Sequence, residues 1–168
     1  MKKNLVLATL LILSTFGLSA ETISGSFKEL ALCGKAKIEI DFSNASIHGM
    51  SEEDFEYVEP DWNKDKPGIV AKLVGNLTER LDGVLLFGSR LDTPFVIKVN
   101  VLSINAHGDY ICNVIIFKDE EEVASIQEVK ANGGKIGSKL NLIKDGAEHT
   151  GDKAGRLLRR ELRKARYQ

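Results

Sequence analysis

The histidines and cysteines of this chain are few and scattered. The histidines are His48, His107 and His149. None pair at the helical spacing of a metal site, and no Cys/His cluster surrounds them. No metal and no cofactor are expected. His107 precedes Gly108-Asp109 in a hairpin-turn sequence, where an exposed polar residue is the ordinary outcome. His149 stands just before a helical stretch. A hydrolase using His107 or His149 would have to gather nucleophile and orienting acid from distant parts of the chain. No GxSxG elbow occurs. The runs Glu52-Glu53 and Glu120-Glu121-Glu122 are adjacent residues, whereas a glycosidase pair faces across a cleft at about 5–10 Å. An enzyme is not the first expectation.

Cys33 and Cys112 are the cysteines. In an oxidising compartment they allow one bridge. It would close a loop of roughly 80 residues, worth about 4 kcal/mol in the chain-entropy model. The alternative is two separate buried thiols, and the sequence leaves both open. Cys112 alternates with Tyr110, Val114 and Ile116 and should share their face. Residues 132–139 read Asn-Gly-Gly-Lys-Ile-Gly-Ser-Lys. That segment fails the GxxxxGK[ST] spacing of a phosphate loop. Its backbone amides could still hold an anion; otherwise it is a flexible connection.

The strongest hint is electrostatic. Lys153, Arg156, Arg159, Arg160, Arg163, Lys164 and Arg166 meet only Asp152 and Glu161 in the last segment. At helical spacing Arg156, Arg159, Arg160 and Arg163 crowd one flank beside a leucine face. Such a stripe suits an anionic glycolipid or an acidic envelope protein. It equally suits a solvated helix end, where cations are favoured anyway. Trp62, among Asp61, Asn63, Lys64 and Asp65, is read as a core cap or an exposed contact residue.

The N-terminus carries an address. Lys2 and Lys3 precede an apolar run over residues 5–16, then Gly17, Leu18, Ser19 and Ala20. Charged start, apolar middle and small residue at the cleavage position read as a signal peptide over residues 1–20. The run is short of the roughly 20 apolar residues of a membrane span. No Cys follows the cleavage point, so a lipid anchor is not expected. The product would be periplasmic, one domain over residues 21–168. Removing Lys2 and Lys3 takes the formal charge from −1 to −3, so nucleic acid is not an expected partner.

The remaining residues must position these groups. Residues 21–29 read as a loose start. Over 36–42, Ala36, Ile38, Ile40 and Phe42 alternate with Lys37, Glu39 and Asp41, a half-buried strand. Ser51 to Asp54 opens a short helix that ends near Pro60. Pro67 suits the first turn of the next helix, whose Ile69, Leu73, Leu77 and Leu81 recur on one face before Gly83. Residues 84–87 form a short buried strand. Residues 95–104, 110–117 and 122–129 form an antiparallel meander, the last strand nearer an edge. Asp145-Gly146 reads as a turn, and the closing helix starts near Thr150 or Asp152. The sum is an α+β domain: a mostly antiparallel sheet with helices on one face.

Three elements carry a resemblance over residues 36–166. They are the strand ending Ile-Asp-Phe before an amphipathic helix, the strand Phe-Val-Ile-Lys-Val-Asn-Val leading to Tyr-Ile-Cys-Asn-Val-Ile-Ile-Phe-Lys-Asp, and the Gly-rich loop before the closing helix. This order resembles the N-terminal domain of TolB and the periplasmic domain of curli-secretion lipoproteins. The chain is also similar to uncharacterised exported proteins of the Bacteroidetes type. The resemblance implies a small α/β envelope domain and carries no functional residue. The function expected is an envelope binding or assembly module without enzymatic activity. The other readings are the periplasmic hydrolase and a small accessory subunit of an envelope transport machine.

Overall fold

A computed structural model describes residues 21–167; the signal-peptide reading over residues 1–20 lies outside them. The start of the domain is ordered. Strand β1 (Thr22–Gly25) leads into helix α1 (Lys28–Cys33), which buries Leu30 and Ala31 and stops at Gly34 with φ +68°. The expected loose start is thereby corrected. Four exposed strand residues followed by a six-residue helix leave too little periodicity to read.

Strand β2 (Lys35–Asp41) follows the expected alternation. After β3 (Ser46–Ile47) comes α2 (Glu52–Val58), capped where the Ser51 hydroxyl accepts from the Asp54 N–H. Helix α3 (Trp62–Leu81) starts five residues before Pro67, which therefore lies inside the helix. Pro67 has no N–H to offer the carbonyl of Asn63, one turn back. Pro67 and Gly68 are exposed. Leu73, Leu77 and Leu81 are fully buried, as their spacing requires.

Strand β4 (Leu86–Phe87) is shorter than expected, although Val84 and Leu85 before it are buried. The meander is β5 (Phe95–Ile104), β6 (Tyr110–Lys118) and β7 (Glu121–Ala131). The sheet order is β1-β7-β6-β5-β2-β4, with β3 beside β5. Strand β7 is covered by β1, with Ser24 opposite Ser125, so the edge on that side belongs to β1. Strands β2 and β3 run parallel to β5. The chain between them crosses over through α2 and α3, as a parallel pair demands.

Helix α4 (Lys139–Arg166) is one 28-residue helix that begins at the Ser138 cap and passes straight through Asp145-Gly146. The expected turn there is corrected. Gly146 faces inward: a Cβ would stand 1.9 Å from the Gly108 carbonyl oxygen and 2.9 Å from the Tyr110 ring. One turn on, a Cβ at Gly151 would stand 2.2 Å from the Leu73 carbonyl oxygen. These glycines let α4 lie against both the β5–β6 turn and α3. The helices cover one sheet face, where Ile97, Val99, Tyr110, Cys112, Val114 and Ile116 are fully buried. On the other face Lys98, Asn100, Asn113 and Ile115 are half-buried. Among the described residues no helix is long and apolar enough to cross a membrane.

Candidate functional site

The basic flank of α4 is built as its spacing implies, but most of its cations are already engaged. Arg156 pairs with Asp152 at 2.7 Å, and Asp152 also receives Arg80 from α3. Lys153 reaches Glu21 at 2.6 Å and donates to the Lys130 carbonyl at 2.9 Å. Arg160 and Lys164 both hold Glu161, at 2.8 and 3.1 Å. Burial pushes the Glu161 carboxyl up, and the hydrogen bonds from Arg160 and Lys164 outweigh it, leaving a net lowered pKa.

Three arginines converge farther along. Arg159 Nη1 donates to the Arg80 carbonyl at 2.8 Å, in the last turn of α3. Arg166 donates from Nη2 to the Val84 carbonyl at 2.9 Å and from Nε to the Ala31 carbonyl at 3.2 Å. Both guanidiniums thus answer carbonyls at helix ends, which carry partial negative charge. Arg163 lies one turn from each, exposed, and no hydrogen bond or ion pair engages it among the described residues. Arg159, Arg163, Arg166 and Tyr167 line a hollow of about 400 Å³ floored by Gly83 and Val84. No acidic residue lines it. Two fixed guanidiniums with N–H groups to spare and one unpaired guanidinium make a preorganised seat for an anion.

Another hollow, about 830 Å³, lies between β7, the Gly-rich loop and the first half of α4. It holds His149, whose Nδ1 is 2.8 Å from the Asn132 carbonyl oxygen. Acids (Glu21, Asp145, Glu148, Asp152) and bases (Lys130, Lys135, Lys153, Arg156) are mixed along it. Among the described residues no serine, threonine or cysteine lines it. At its rim Glu128 takes φ +56° and donates its N–H to Asn113 Oδ1 at 3.0 Å, a β-bulge in β7.

The amides of the Gly-rich loop are turned inward. Gly133 N–H donates to Asp109 Oδ1 at 2.6 Å and Gly134 N–H to the Leu142 carbonyl at 3.3 Å. The Gly133 bond, with one from Asn105, holds the Asp109 carboxyl below the usual range. A Cβ on Gly133 would stand 1.9 Å from the His107 carbonyl oxygen. The loop is a packing joint between the β5–β6 turn and α4, and these two amides are unavailable to an anion. His107 is exposed in that turn. His48 is half-buried against Phe55, with ring centroids 5.1 Å apart. Among the described residues no group of three or more His, Cys, Asp or Glu side chains could hold a metal ion.

Trp62 takes the core one of its two readings, and the cysteines fit neither of theirs in full. Trp62 is fully buried, edge-on to Phe55 and Phe42, with Nε1 donating to Glu52 Oε1 at 2.9 Å. It is a core residue and offers no surface to a partner. Cys33 and Cys112 are unbonded. Cys33 is exposed at the end of α1, whereas Cys112 lies in the core, its thiol pushed up to about 12 by burial.

No protein-family model, curated protein or solved structure matches the chain, so the site is read from its own geometry.

Proposed function

We propose that this chain is an exported envelope binding module whose closing helix recognises an anionic group, in the manner of a glycolipid phosphate. The observation that carries the reading is Arg163: an unpaired guanidinium between two tethered ones, over a hollow without acids. The signal-like N-terminus supports an envelope location. The opposite charge of the rest of the chain supports a local contact rather than a general one, since the formal total is −1.

The other candidate residues on the helix have structural duties, which shapes the test. Reversing Arg159 would put a carboxylate against the Arg80 carbonyl, and reversing Arg160 would remove a partner of Glu161. Arg163→Glu alone alters the charge of the hollow without breaking a hydrogen bond or ion pair among the described residues. In fractionated cells the wild type is expected in the envelope-associated fraction. Arg163→Glu is expected to move mostly to the soluble fraction with an unchanged circular dichroism spectrum. An Arg163→Glu protein that fractionates like the wild type would sink the reading.

A further inference from the structure

Strand β2 has one edge paired with β5 over Lys37–Asp41, while its outer edge meets β4 only at Lys35 and Ala36. On that outer side the Leu86 N–H donates to the Gly34 carbonyl at 2.9 Å. In a parallel ladder a residue's N–H and C=O point to the same side, and the side alternates along the strand. The direction set at Gly34 and Ala36 therefore recurs at Ile38 and Ile40. Their backbone groups face outward, and no strand of the described chain lies beside them. A groove of about 410 Å³ runs along this edge, lined by Ile38, Val74 and Phe87 among others. Ile38 and Ile40 are only half-buried within one molecule.

We propose that this edge joins two copies of the chain, β2 pairing antiparallel with β2 of a second copy about a two-fold axis at Glu39. The residues of the edge commit it to a second copy. Lys37-Ile38-Glu39-Ile40-Asp41 complements itself when read in the opposite direction. Ile38 lies opposite Ile40 of the second copy, and each such pair exchanges two backbone hydrogen bonds. The four outward groups of each strand are thereby satisfied. Lys37, which no hydrogen bond or ion pair engages within the described chain, lies opposite Asp41 of the second copy. Sliding two residues one way sets Glu39 against Asp41, two like charges. Sliding the other way sets Ile40 against Ala36, which β4 already occupies. The chosen register sets Glu39 opposite Glu39, a destabilising pair; Lys98 is its neighbour on β5 and pairs with Asp41 at 3.5 Å, so Asp41 would be shared between Lys98 and Lys37 of the second copy.

The test is sedimentation velocity and amide hydrogen exchange on the purified protein over rising concentration. A monomer–dimer equilibrium is expected. The Ile38 and Ile40 amides should gain protection as the dimer forms, while those of Lys37 and Glu39, turned toward β5, stay slow throughout. Lys37→Asp should abolish the dimer, and Lys37→Asp with Asp41→Lys should restore it. Asp41 also accepts the Ser43 N–H at 2.9 Å and pairs with Lys98 at 3.5 Å, so the double variant is first checked for folding. Glu39→Gln, which touches no fold contact, should tighten association and serves if the double variant misfolds. A monomer at every concentration overturns the proposal and leaves the edge to a strand from another protein. A dimer that persists in Lys37→Asp, or whose Ile38 and Ile40 amides exchange as fast as in the monomer, also overturns it.

Discussion

His48 is held in two ways that pull against its own chemistry. Its backbone takes φ +52°, a conformation suited to Gly and Asn, and its Nε2 is buried without a hydrogen-bond partner. Burial depresses its pKa, the Lys139 cation adds to the effect, and Glu59 opposes it. The unfolded chain therefore takes up a proton that the folded chain refuses. The stability contributed by neutral His48 is present above the ordinary histidine value, about 6.5, and is lost as pH falls toward the depressed folded value. The carboxylates with resolved shifts do not confuse this window. Glu21, Asp41, Asp109 and Glu161 are all lowered, so their contribution is lost only below the ordinary carboxylate range. His48→Asn tolerates the backbone and cannot titrate. Urea midpoints measured between about pH 7.5 and pH 5 should fall for the wild type and stay nearly flat for His48→Asn. Equal slopes would remove His48 from the account.

At the scale of elements, glycine separates packing from propensity. In α4, Gly146 and Gly151 are enclosed by backbone, so Gly146→Ala drives a methyl into the Gly108 carbonyl and the Tyr110 ring. In α3, Gly75 is exposed and a Cβ there meets nothing within 4 Å. Gly75→Ala should stabilise the protein by roughly 0.5–1 kcal/mol, the helix-propensity gain. Gly146→Ala should destabilise by about 1–3 kcal/mol or more, overpacking outweighing the same gain. Thermal melts of the two variants check both signs; stabilisation by Gly146→Ala would contradict the close approach. The same residue marks where the sequence misled. Asp145-Gly146 has the composition of a turn, and only the fold reveals the strand turn that presses on it. The meander and α3's leucine face were legible because alternation and helical spacing report burial directly. Strand β1 and helix α1 were too short for that signal. The arginine flank was legible as well, but not its division of labour. The carbonyls of Ala31, Arg80 and Val84 that engage Arg159 and Arg166 come from far away in the chain. Trp62 stayed open between core and surface because its charged neighbours are exposed while its own ring turns into the core.

On the scale of the whole molecule, α4 ties the layers together. Its length crosses the sheet, and its cations reach α1, α3 and the residues leading into β1. The hollow at its basic end is therefore formed only when those elements are docked. A ligand seated there binds the folded chain and not the unfolded one, and stabilises it by mass action. Inorganic phosphate is the simplest probe, because it supplies oxygens without a lipid tail. At ten times its dissociation constant the gain is about 1.4 kcal/mol. For a domain of this size that raises the melting temperature by roughly 3–6 °C. Sodium chloride at equal ionic strength controls for screening, which acts on the surface pairs as well. Arg163→Glu should melt near the wild-type temperature without phosphate, since Arg163 makes no hydrogen bond or ion pair among the described residues. It should lose the phosphate-dependent rise. A rise of the same size in both proteins would mean that phosphate acts elsewhere on the surface, and the hollow would then lose its standing as the anion site.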